Sequence, residues 1–159
     1  MLAIRALLLM FVIIVAKADN ALLIFGASRH LVCNSHKNLC HFNEFNPGLG
    51  IEWATPEHFW GQALLRIGGY YDSRYSHSHF ASIGLRKQLN LNASLSLGAG
   101  LLVGYLDGPG KNGLAALPFV SVGWHDTALE IGYVPNMNIA TKRHAFERLI
   151  TFNLRWQWR

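Results

Sequence analysis

The segment 150–158 reads I-T-F-N-L-R-W-Q-W, with Phe152, Leu154, Trp156 and Trp158 on one face and Asn153, Arg155 and Gln157 on the other. A period of two marks a strand with unlike faces, because side chains alternate across a pleated backbone. The rule recurs upstream. Phe45, Leu49, Ile51 and Trp53 oppose Glu44, Asn46, Gly50 and Glu52, and Ala63, Leu65 and Ile67 oppose Gln62 and Arg66. Ile83 and Leu85 oppose Ser82, Gly84 and Arg86, while Leu95, Leu97, Leu101 and Val103 oppose Ser94, Ser96, Gly98 and Gly100. Val120 and Val122 flank Ser121, and Leu129, Ile131 and Tyr133 oppose Glu130. With a first, poorly alternating segment at 20–28, the pattern predicts eight strands. Their connections differ in length: 54–59, 88–92 and 125–127 are short, 29–43, 105–116 and 134–148 are long, and 72–78 is intermediate.

Such a chain is either a soluble β-sandwich or an outer-membrane β-barrel, which has short turns at one end and longer loops at the other. Composition bears on the choice. Only 14% of the 159 residues are charged while 51% are hydrophobic, against about 25% charged in an ordinary soluble domain. Beyond the N-terminus no apolar run reaches the roughly 18 residues that a membrane helix needs. The aromatic residues favour the barrel. Trp53, Trp60, Trp124, Trp156 and Trp158 fall at the short-turn end, whereas Tyr70, Tyr71, Tyr105, Tyr133 and Phe146 fall near the long loops. Two belts at opposite ends are what membrane interfaces select. The expected fold is an all-β, eight-stranded antiparallel transmembrane barrel.

The first residues predict export. Arg5 precedes the apolar run 6–16, ALLLMFVIIVA, and Ala16-Lys17-Ala18 presents small residues in the A-x-A arrangement. Residues 1–18 are therefore expected to be a removable signal peptide and 19–159 the barrel. Loss of Arg5 and Lys17 leaves twelve basic against nine acidic residues, an excess of three in place of five. The basicity then needs no nucleic-acid partner. Export to an oxidising compartment permits a Cys33–Cys40 disulfide, and two free thiols are the alternative. A zinc site is disfavoured despite His36 and His41, for want of ligand spacing such as C-x2-C.

With apolar residues turned to lipid, the other face lines a lumen. Near the short turns it carries Glu52, Arg66, Arg86, Glu130 and Arg155, which must pair because isolated buried charges are costly. Near the long loops it carries Ser82, Gly84, Gly98, Gly100, Leu102 and Gly104. Those small residues fit either close packing or a slot for an acyl chain. His30, Asp72 and Ser73 fall at the long-loop end, with Ser28, Ser76, His77, Ser78 and His79 as rival chemical groups. His, Ser and Asp together can build an activated hydroxyl or a general base. No G-x-S-x-G elbow is present, and Gly98-Ala99-Gly100 lies in a strand rather than before a helix, so it is no phosphate loop. Arg29, Arg74, Lys111, Lys142 and Arg143 decorate the same rim.

The order of several short motifs resembles the lipid A palmitoyltransferase (PagP) family. They are His30, Phe42-Asn43-Glu44 with Pro47-Gly48-Leu49-Gly50, Tyr71-Asp72-Ser73, the stretch 117–123 (LPFVSVG), Tyr133-Val134-Pro135 and the aromatic stretch 154–158 (LRWQW). Phe25 lies near where the family carries a strand-one proline, and Phe45-Asn46 replaces an arginine. The resemblance implies transfer of a palmitoyl chain from the sn-1 position of a phospholipid to lipid A. It implies His30, Asp72 and Ser73 as catalytic residues and Gly84 as the chain-length floor. Ser82, Gly98 and Gly100 join Gly84 as the expected acyl-chain pocket. Pro47, Pro118 and Pro135 are expected to flank lateral lipid access, where ladder hydrogen bonds are missing. The expected partners are a phospholipid donor, a lipid A acceptor and the membrane, with no nucleic acid, no metal or other cofactor, and the chain a monomer. The alternatives are a lipid A deacylase or outer-membrane phospholipase, disfavoured by the lack of an H-x-S-N segment, and a non-catalytic barrel such as an adhesin or a membrane-stability protein.

Overall fold

The computed structural model describes residues 19–31, 42–108, 112–135 and 148–158. They form eight strands: β1 (Asp19–His30), β2 (Phe45–Ala54), β3 (Gln62–Tyr71), β4 (His77–Asn90), β5 (Leu95–Asp107), β6 (Gly113–Trp124), β7 (Thr127–Val134) and β8 (Leu149–Trp158). Each pairs antiparallel with its neighbour in sequence, and β8 closes onto β1. Closure leaves no free sheet edge, the condition for strands to cross lipid. The expected signal segment 1–18, both cysteines, His36, His41, Lys111, Lys142, Arg143 and Phe146 lie outside the described residues.

Burial is inverted relative to a soluble protein. Ile51, Ile67, Ile83, Leu101, Val120 and Leu154 are exposed on the outer wall, whereas Glu52, Arg66, Arg86, Glu130 and Arg155 are buried inside. An apolar exterior around a charged interior suits lipid outside, which decides against the sandwich. The molecule is a transmembrane barrel of the outer-membrane type.

Trp60, Trp124, Trp156 and Trp158 are exposed at the end bearing the turns 55–61, 91–94 and 125–126, and Tyr105 and Tyr133 are exposed toward the other end. Two expectations need correction. Tyr70 does not join the outer belt; it faces the lumen, with its ring 5.8 Å from Phe25 and 6.4 Å from Phe80. The connection expected over 105–116 shrinks to 108–112, because alternation continues through it: Tyr105 pairs with Leu114, and Leu106 with Gly113.

The lumen is filled at the turn end. Arg66 donates both terminal nitrogens to the Glu130 carboxylate at 2.9 Å and its Nε to Glu52 Oε2 at 2.6 Å. Arg86 donates to Glu52 at 2.9 Å and to Gln62 Oε1 at 2.9 Å and 3.2 Å, and Arg155 approaches Glu130 at 3.6 Å and Glu52 at 3.9 Å. Two carboxylates thus hold three guanidiniums, all five residues being at most 4% exposed. Beside them Ala54, Leu64, Leu102 and Phe119 form an apolar cluster, and the Arg66 guanidinium lies 5.1 Å over the Phe119 ring.

Removing one partner from a buried pair strands the other charge, at a cost of about 3–5 kcal/mol. Glu130→Ala is therefore expected to lower the unfolding free energy by at least about 3 kcal/mol. The exposed Lys87–Glu57 pair, 2.8 Å apart, is the control, and Lys87→Ala is expected to change stability by about 1 kcal/mol or less. Urea unfolding of the barrel in lipid vesicles, followed by tryptophan fluorescence, measures both.

Candidate functional site

Alternation in β1 is broken once. Leu23 and Phe25 face the lumen, the register against both neighbours shifts between Phe25 and Ala27, and beyond the shift Ser28 and His30 line the cavity. An extra residue in a strand reverses which side chains face which way, so this irregularity turns Ser28 and His30 inward instead of toward lipid. It also explains why 20–28 alternates poorly.

The second half of the site comes from the turn after β3. Asp72 Oδ1 accepts the backbone N–H groups of Arg74 and Ser76 at 2.8 Å and 2.9 Å, while its Oδ2 accepts from Ser78 Oγ at 3.0 Å. An aspartate bonding backbone two residues on is a turn-former. Its carboxylate fixes the loop from which Ser73 projects, and the Ser73 carbonyl accepts the Asn43 N–H at 2.9 Å. Ser73 Oγ lies 3.5 Å from Ser28 Oγ, which donates to Asn46 Oδ1 at 2.5 Å. Asn46 in turn donates to the carbonyls of Asn43 and Tyr71, at 3.3 Å and 3.1 Å. The His30 ring stacks on Phe42 with centroids 3.9 Å apart and planes 14° apart.

His30, Asp72 and Ser73 thus line one cavity of about 200 Å³, together with Ser28, Asn46 and Ser78. Its wall also carries the apolar residues Leu23, Phe25, Phe80, Leu106 and Leu117, and Arg66, Ser82 and Asn153 line it as well. Sequence reasoning had placed Asn46 on the lumen face without a role. An amide beside Pro47, two residues from Glu44 on the same face, was the available signal.

Of the four residues expected to form the acyl-chain pocket, one falls on this cavity. Ser82 lines the cavity; Gly84, Gly98 and Gly100 do not. They lie deeper, against filled space: a Cβ on Gly84 would meet the Leu101 carbonyl and stand 2.8 Å from Leu102 Cδ2, one on Gly98 would meet Ser121 Oγ, and one on Gly100 would stand 2.5 Å from Phe119 Cζ. These glycines make room for neighbouring side chains rather than for a ligand.

The prolines divide. Rungs between β6 and β7 end at Phe119–Gly132, and Pro118, the next residue, has no N–H to offer a further one. Above that rung β6 stays paired to β5 as far as Gly113, and β7 stays paired to β8 as far as Val134, which Pro135 follows. Leu117 and Val134, on either side of this seam, both line the cavity. The cavity therefore meets the barrel wall where the ladder is parted. Pro47 also lies beyond a last rung, Gly48–Tyr70, but there the Asn46 side chain bridges to the Tyr71 carbonyl. That tie spans the seam beside Pro47, whereas among the described residues no hydrogen bond spans the one beside Pro118.

Because Gly84 is enclosed by Leu101 and Leu102, Gly84→Met is expected to disturb the packed layer rather than trim a pocket. Overpacking of this kind typically costs about 1–3 kcal/mol. The expected result is a lower temperature for loss of the compact, heat-modifiable band on gels, with Ser82→Ala unchanged as control.

No known family model matches the sequence, and neither does any curated protein. Among solved structures, a similar chain is the outer membrane protein Ail of Yersinia pestis, its backbone determined in a phospholipid bilayer nanodisc. Sequence identity is 7% and the TM-score 0.45, over 89% of this chain and 100% of that one.

Proposed function

We propose that this barrel is an outer-membrane acyltransferase that moves an acyl chain from the sn-1 position of a phospholipid to a hydroxyl of lipid A. The observation that supports it most is that His30, Asp72 and Ser73 share a cavity with apolar residues such as Leu23, Phe25, Phe80 and Leu117, and that this cavity meets the parted β6–β7 seam. A donor chain lying in the cavity brings its ester to the mouth, beside those three residues.

In this reading His30 is the general base. Its ring nitrogen takes the proton from the acceptor hydroxyl, whose oxygen bonds to the ester carbonyl carbon. On collapse the carbon–oxygen bond to the glycerol breaks, and His30 returns the proton to the departing lysophospholipid. Ser73 is the hydrogen-bond donor for the charge that develops on the carbonyl oxygen, and Asp72 positions Ser73 through the turn. Palmitoyl is the chain implied by the family resemblance.

A non-catalytic barrel is the second reading. The packed turn-end half of the lumen and the commitment of Asp72 to its own turn favour it. A deacylase or phospholipase would use the same mouth with water as acceptor. Expression in a host of defined lipid A, followed by mass spectrometry of that lipid A, separates the three: gain of one acyl chain, no change, or loss of one. His30→Ala and Ser73→Ala are each expected to cut the gain by about 100-fold or more, for loss of a general base and of an oxyanion donor respectively, while the barrel keeps its heat-modifiable mobility. Full transfer by both variants would remove the assignment.

A further inference from the structure

We infer that the outer wall carries a seat for a lipid phosphate at the loop end of the β8–β1 seam, where Arg29 and Arg148 together hold the phosphate monoester of a lipid in the surrounding leaflet. The seat lies outside the barrel, apart from the cavity, and does not depend on the acyl-transfer reading.

Both arginines face outward. Arg29 stands between Ser28 and His30, which line the cavity, so alternation turns it to the outer wall, where it is exposed. Arg148 precedes the cavity-lining Leu149 and is exposed as well. Its carbonyl accepts the Leu31 N–H at 2.9 Å, which carries the β1–β8 ladder one rung past His30–Leu149. Arg29 is opposite Ile150, so Arg148 is its diagonal neighbour across the seam, at a spacing of about 7–8 Å. On the other side of Ile150 stands Tyr133, also exposed. Three hydrogen-bonding side chains thus surround one isoleucine.

Their height matches a headgroup. Below the arginines the outer face of β8 is apolar through Ile150, Phe152, Leu154 and Trp156 to Trp158 in the turn-end belt. At roughly 3.3 Å per residue and a tilt of about 35–45°, the rise from Arg148 to Trp158 is about 23–27 Å. The apolar band of such barrels is about 25 Å tall. The two guanidiniums therefore stand at its upper edge, level with the lipid phosphates, with an apolar column beneath them for the chains.

The charge there is unbalanced. Among the described residues no carboxylate pairs with either arginine, whereas at the same end of β4 and β5 the outward His79 stands opposite Asp107. Two like charges set this close repel each other, and an anion between them removes the repulsion. Each guanidinium presents a planar fork of donors that fits phosphate oxygens. A phosphate monoester carries about −1.5 to −2 charges near pH 7, enough to balance two arginines, while the diester of an ordinary phospholipid carries half as much or little more.

The test titrates dioctanoyl phosphatidic acid, a monoester, into the whole barrel refolded in dodecyl maltoside, with binding read from amide chemical shifts. Saturable shifts are expected at Arg29, Leu149 and Ile150, with affinity about ten-fold or more above that for dioctanoyl phosphatidylglycerol, the corresponding diester. The preference is expected to shrink as pH falls through about 6, where the monoester takes up its second proton. Arg29→Gln and Arg148→Gln are each expected to weaken binding about ten-fold, the low end of what a hydrogen bond to a charged group contributes, and the double variant to lose the preference. Lys87→Gln removes the same charge at the turn end and is expected to leave affinity unchanged. Inorganic phosphate at the same concentrations is expected to give no saturable shift, because burial of the chains against the apolar column supplies part of the affinity. Equal affinity for the two lipids, saturation by inorganic phosphate alone, or an undiminished preference in the double variant would overturn the inference.

Discussion

Two buried carboxylates holding three buried arginines are the constraint on which the rest of the barrel depends. Glu52 and Glu130 come from β2 and β7, and Arg66, Arg86 and Arg155 from β3, β4 and β8, so the Arg66–Glu130, Arg86–Glu52 and Arg155–Glu52 contacts tie strands that the ladder joins only through intermediates. In a barrel of eight strands the interior is just wide enough for side chains to fill. Once the charges and their apolar neighbours occupy the turn end, open space is left only toward the loops. The network thereby sets the floor of the cavity as well as the stability of the wall.

The site above that floor is built by two local departures from regular structure. The register shift in β1 turns Ser28 and His30 inward, and the Asp72 turn carries Ser73 to within 3.5 Å of Ser28. A third departure, the end of the β6–β7 ladder at Pro118, parts the wall beside the same cavity. Each is a place where ideal pairing fails, and all three converge on one volume. Such convergence is the expected form of a functional site, because irregularities that weaken a sheet persist where they position something.

Much of the fold was legible because lipid demands strict alternation. The eight strands, their closure and the buried charges all follow from which residues take odd or even positions, and Glu52, Arg66, Arg86, Glu130 and Arg155 lie inside as that parity required. Parity says which way a residue points but not how deep the space around it is empty. Gly84 faces inward as expected, yet Leu102 from the adjacent strand covers it, a relation fixed by register between β4 and β5. The true extent of β5 and β6 was hidden as well, because the inward Leu106 and Ala115 lack the polar character that marks the lumen face elsewhere. The bulge left only a negative trace, a first strand that alternated poorly. Pro47 and Pro118 were alike in sequence; only Asn46, bridging one seam, tells them apart.

The central claim is that the loop-side half of the lumen receives a lipid chain from the bilayer. Nuclear Overhauser contacts between an unlabelled, ten-carbon alkyl amphiphile and methyl-labelled barrel test it directly. The account predicts contacts from the terminal methyl of the amphiphile to Leu102 and Leu117, with Leu64 silent. Contacts confined to outward residues such as Ile83, Leu101 and Val120, with only water reaching Leu102, would contradict it.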